Sequence, residues 1–188
     1  MPVSAHRLSG TRFWAIFAFF VLAAVQASAQ RFKGPTYSLV APAGWNTTTT
    51  DLSKGGVAFL GPYEQNFEVN INILSEPAPH ETLAQYVEAT HKQVAAHPEI
   101  GMKILKDGTK TMAGTPVHTV LAELRMPKRP DIPLLRNYQV YAMHKDRAYI
   151  LTLTYPKNVA AGSAKKYTAV FDKLLASFQW VRAAALKK

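Results

Sequence analysis

The chain has 188 residues, 48% hydrophobic, 11% aromatic and 18% charged, with a net charge of +10 and no cysteine. That length and apolar content suit one domain with a sizeable core and exclude a disordered chain. The missing cysteine excludes disulfides, thiolate metal sites, cysteine nucleophiles and a lipid-acylated cysteine.

Residues 1–29 read as a secretory signal peptide. Arg7 and Arg12 form a basic start, FWAIFAFFVLAAV (13–25) is the apolar run, and Ala27-Ser28-Ala29 is a small-residue cleavage site. The run is short of the ~20 residues that a spanning helix needs. Cleavage near Ala29 predicts an exported chain, in the periplasm or outside the cell, with residues 30–188 as a single domain and no transmembrane segment. Two arginines leave with the segment and no acid does, so the charge falls from +10 to +8.

Short antiparallel strands are expected over 36–61. TYSLVAP is stopped by Pro42-Ala43-Gly44, a threonine-rich stretch follows Trp45, and GVAFLGP closes on Gly61-Pro62. In FEVNINIL, Phe67, Val69, Ile71 and Ile73 share one face while Asn70, Asn72 and Leu74 share the other, the period of a half-buried strand. Leu83, Tyr86, Val87, Thr90 and Val94 then recur at helical spacing, and Pro98 ends that helix. MKILKDGTKTM carries a hairpin signal at Asp107-Gly108. TPVHTVLAELRM predicts a long strand, PKRPDIP a polar loop, and LLRNYQVYAMH and RAYILTLTY two strands joined by a tight turn at Lys145-Asp146. Tyr167, Val170, Phe171, Leu174, Leu175 and Phe178 form the stripe of a second helix, with Ser163 placed to cap it. Strands in hairpins with two separate helices argue for an α+β fold, an antiparallel sheet with a helix covering each face.

Several of these pieces resemble the PsbP-like family. They are Tyr37…Pro42-x-Gly44-Trp45, Val69-Asn70-Ile71-Asn72-Ile73, the Thr82-Leu83 helix start and Gly114-x-Pro116. Ala148-Tyr149-Ile150-Leu151-Thr152 and Phe171-Asp172…Ser177-Phe178 complete the set. The resemblance spans about residues 34–181 and implies a three-layer α/β/α sandwich. It also implies an accessory role and little activity: photosynthetic members are extrinsic proteins that help a membrane complex retain inorganic ions, and bacterial relatives are exported.

Catalytic signals are sparse. Ser163-Ala164-Lys165-Lys166 matches S-x-x-K, but the S-D-N and K-T-G elements that this chemistry requires are missing. No G-x-S-x-G elbow, phosphate loop or H-E-x-x-H occurs. The expectation is therefore a non-enzyme without a cofactor. Five histidines follow residue 29, and only His91 has an acidic neighbour on its own helix face, Glu88 one turn earlier. That pair is the candidate should a metal bind, and surface histidines are the expectation. Asn70 and Asn72 offer donors and acceptors on one strand face.

Basic residues cluster at Lys103/Lys106/Lys110, Lys128/Arg129/Arg136, Lys165/Lys166 and Arg182/Lys187/Lys188. None interleaves with aromatics as a nucleic-acid motif does, so no nucleic-acid partner is expected. The leading expectation is an exported accessory protein of the cell envelope that docks on a protein or anionic surface through Lys128, Arg129, Arg136 and the 126–133 loop. The alternative is a small-molecule or metal-binding protein, an enzyme of unfamiliar type included, with a pocket near Asn70, Asn72 and His91.

Overall fold

The structure, a computed structural model, describes residues 30–51 and 56–181. The expected signal peptide over 1–29 and the basic cluster Arg182/Lys187/Lys188 lie outside the described residues. The elements in chain order are β1 (Arg31–Lys33), β2 (Tyr37–Val40), β3 (Asn46–Asp51), β4 (Gly56–Glu64), β5 (Phe67–Pro77) and α1 (Leu83–Ala96). Then come β6 (Met102–Met112), β7 (Thr115–Leu124), β8 (Leu135–His144), β9 (Arg147–Pro156), α2 (Ala161–Ser177) and β10 (Gln179–Trp180).

The period-two pattern of β5 does what it predicts. Val69, Ile71 and Ile73 are fully buried, while the alternate Leu74 is 52% exposed. β5 and β9 form the centre of a seven-stranded antiparallel sheet of order β3-β4-β5-β9-β8-β7-β6, and a smaller sheet joins β1, β2 and β10. Val69, Ile71 and Ile73 share a core with Tyr149, Leu151 and Leu153 of β9 and with the α2 stripe Tyr167, Phe171, Leu174, Leu175 and Phe178. A second cluster gathers Tyr86 and Val87 of α1 with Val120 and Ala122 of β7, Tyr141 of β8 and Ala148 of β9. Neighbouring residues of one strand thus divide between two cores, because successive side chains point to opposite sides of a strand.

The helix ends are locally determined. Thr82 caps α1 in a reciprocal capping box with Gln85, and Pro98 starts a single 3-10 turn after α1 has stopped. Gly101 follows with φ +70°, and a Cβ there would sit 2.1 Å from the Arg125 carbonyl, so only glycine fits this crossing of the β6 and β7 ends. α2 differs from expectation: Ala160 is its N-cap without a side-chain bond, and Ser163 lies inside the first turn. No helix among the described residues is long and apolar enough to cross a membrane.

The Asp107-Gly108 hairpin expectation is overturned. Both residues lie within β6, Asp107 opposite Val120 and Gly108 opposite Thr119. The β6–β7 turn is at Ala113-Gly114, both with positive φ (49° and 75°). A two-residue hairpin needs left-handed backbone and strands that pair outward from the turn, and that register exists only around Ala113-Gly114.

Candidate functional site

His91 continues the stripe of α1 one turn beyond the buried Val87, so its imidazole faces the sheet where the core thins out. His118 shares a face of β7 with Val120 and Ala122, which pack against α1. Asp107 reaches the same face through an irregularity in β6. Ile104 pairs with Ala122 and Asp107 with Val120, so three β6 steps match two on β7 and the register shifts between Ile104 and Lys106. Without that bulge the period of two would turn Asp107 to the opposite face.

Together these residues line an open groove of about 680 Å³ beside α1, with Leu83, Val87, Lys92, Ala95 and Thr109 among its walls. One ligating atom from each of His91, Asp107 and His118 lies within 4.8 Å of the others. His118 Nε2 is 3.9 Å from Asp107 Oδ2, too far for a hydrogen bond. The two imidazoles meet at 5.9 Å between ring centres, tilted by 66°. The Nε2 atoms of both histidines are shut off from solvent, and no side chain or backbone group of the described residues hydrogen-bonds them. Burial pushes the His118 imidazole below its ordinary pKa, Asp107 opposes that and His91 adds to it. The groove thus offers two imidazole nitrogens and one carboxylate as convergent donors.

The expected ligand pair is arranged differently. Glu88 lines the groove, but its carboxylate bonds Lys92 Nζ at 2.7 Å on the exposed side of α1, and that ammonium holds it below the usual carboxylate range. Asn70 and Asn72 do not join His91. They sit on β5, three strands away from β7 in the sheet order, roughly 14 Å at the usual strand spacing. There Asn72 Nδ2 donates to Asn70 Oδ1 and Asn70 Nδ2 to the Glu68 carbonyl, both at 2.8 Å. Asp107 and His118 were missed because their approach depends on strand pairing and on a bulge with no sequence signature. The i, i+4 step from Val87 to His91 was the available signal.

The basic residues of the docking expectation occupy the segment 125–136 between and into β7 and β8. The Arg129 guanidinium makes a two-pronged bond to Asp131 at 2.9 and 2.8 Å. Arg136 reaches Glu123 at 3.3 Å, and Lys157 reaches the same carboxylate at 2.6 Å; Lys157 first, then Arg136, hold Glu123 below the usual range. Lys128 and Arg125 have no ion-pair partner among the described residues, and with the exposed Met126 they border a hollow of about 370 Å³.

No family model matches the sequence, and no curated protein matches it. Solved structures do match. The solution structure of cyanobacterial PsbP (CyanoP) from Synechocystis sp. PCC 6803 aligns with a TM-score of 0.60 at 14% identity, over 85% of this chain and 96% of that one. The fold is PsbP-like. Protein PA94 of Pseudomonas aeruginosa aligns at 0.55 and 16% identity, over 82% of this chain and 98% of its own. LpqN of Mycobacterium tuberculosis, a protein involved in cell envelope biogenesis, aligns at 0.55 and 9% identity, over 81% of this chain and 90% of its own. The PsbP-like expectation for the fold thus holds, in an α+β chain with a seven-stranded antiparallel sheet and two helices.

Proposed function

We propose that this chain is an exported, non-catalytic accessory protein of the cell envelope that docks an acidic partner through the loop between β7 and β8. The observation that carries this reading is the pairing state of the loop. Asp131 and Glu123 occupy Arg129 and Arg136, whereas Arg125 and Lys128 present uncommitted positive charge around exposed Met126. An apolar side chain ringed by unpaired cations suits a partner with a carboxylate-rimmed apolar spot. The PsbP-like fold shared with an envelope-biogenesis protein supports an accessory role over catalysis. A three-layer arrangement belongs to the same reading: Tyr149 and Leu151 pack with α2 while Ala148 and Ile150 pack with α1, which supports a helix on each face.

Arg129 and Arg136 serve the proposed surface by shaping it, through their own ion pairs. The test is chemical cross-linking in envelope extract, followed by binding kinetics with the captured protein. The double variant Arg125→Glu/Lys128→Glu should slow association at least tenfold and remove its salt dependence, because charges at an interface rim act mainly on encounter. Unchanged association would assign docking to another surface.

A further inference from the structure

We infer that His91, Asp107 and His118 form a binding site for a divalent transition-metal ion, zinc being the best match to the donor set. This site is independent of the docking loop. Three donors from three elements, α1, β6 and β7, converge to within 4.8 Å. Zinc bonds of ~2.0–2.2 Å place tetrahedral ligand atoms roughly 3.3 Å apart, so the donors need to close by at most about 1.5 Å to take up an ion, and His118 Nε2 and Asp107 Oδ2 start at 3.9 Å. Asp107 has the freedom for that closure, since its side chain is 55% exposed on an edge strand.

Two features set this cluster apart from an incidental grouping of polar side chains. First, both histidines bury Nε2 with no hydrogen-bond partner from the described residues. An unsatisfied buried polar atom is costly in a folded protein, so two such nitrogens in one groove need a common explanation. A metal bonded to both supplies it. Second, the carboxylate is aimed at them by the bulge at Leu105, which places Asp107 on the face of His118. The remaining groove charges are accounted for, because Lys92 is held by Glu88 at the outer rim.

The donor types narrow the ion. Two imidazoles with one carboxylate suit zinc, copper or nickel, whereas magnesium and calcium prefer oxygen ligands throughout. Three protein donors leave a fourth position open to the groove, where water or a small anionic ligand completes the tetrahedron.

The test is zinc titration of the purified protein against a chromophoric chelator, with imidazole nitrogen shifts followed by NMR. The expected result is one zinc per chain, with the Nε2 resonances of His91 and His118 moving on binding. His91→Gln and His118→Gln should each weaken binding at least tenfold. His97→Gln should leave it unchanged, because His97 is exposed and pairs with Glu99 outside the groove. Should either glutamine variant fail to fold, Asp107→Asn on the exposed edge takes its place, with the same expected loss. Absence of zinc uptake by the wild type, or uptake that survives substitution of these ligands, would overturn the assignment.

Discussion

Replacing Phe171 by alanine tests how α2 holds the sheet. Phe171 is fully buried among the β5 and β9 side chains and meets the Tyr138 ring edge-on, 5.7 Å between centres at 86°. Deleting a buried phenyl ring costs about 3–5 kcal/mol, the lost transfer energy and the cavity together. The edge-on pair accounts for about 0.5–1.5 kcal/mol of the interaction. In a domain of this size each kcal/mol moves Tm by about 2–4 °C, so Phe171→Ala should lower Tm by roughly 6–20 °C. Urea denaturation followed by circular dichroism gives the free energy, and an unchanged m-value shows that the unfolding transition is still the same one. Tyr63→Ala is the control: Tyr63 is 70% exposed, and exposed substitutions shift stability by about 0.5 kcal/mol or less. A loss below about 1 kcal/mol for Phe171→Ala, well under the cost of emptying a packed core site, would refute the packing of α2 against the sheet.

Thr82→Ala removes the capping box of α1 and should cost about 1 kcal/mol. α1 buries two side chains and α2 four, so the loss should show first as faster amide exchange along α1 than along α2; equal exchange in both would contradict this ranking. His144 stacks on Trp180 at 4.2 Å, and burial, with Lys145 adding, lowers its pKa. The folded chain therefore holds that proton more weakly than the unfolded one, and the associated stability is complete above about pH 6.5 and lost as pH falls through the lower folded value. His144→Phe keeps the stack and should flatten the fall of Tm below about pH 6.5; an unaltered acid limb would place the titration elsewhere.

Much of the fold was legible because its signals are local. The alternation in β5 and β9, the two apolar stripes, the stop at Pro98 and the turn at Lys145-Asp146 each follow from a few neighbouring residues. β1 and β10 were not legible, since these strands of three and two residues exist only by pairing with β2 from distant parts of the chain. Asp107-Gly108 misled because a favourable turn dipeptide was outweighed by ladder pairing on both sides of it. The groove failed for a related reason. Helical spacing suggested Glu88 as the partner of His91, but Lys92 lies one turn further on and takes that carboxylate. The donors that do approach His91 are separated from it by 16 and 27 positions and arrive through the sheet. In the docking loop the sequence marked Lys128, Arg129 and Arg136 but not Arg125, and it did not show that Asp131 and Glu123 occupy Arg129 and Arg136.

Native mass spectrometry of the protein recovered from its own envelope fraction tests the accessory role most directly. The expected species is a chain beginning at Gln30, bound at fixed stoichiometry to a second protein, with that complex lost in the Arg125→Glu/Lys128→Glu variant. A chain that retains residues 1–29 in the cytosolic fraction, or a processed chain that carries no partner, would contradict it.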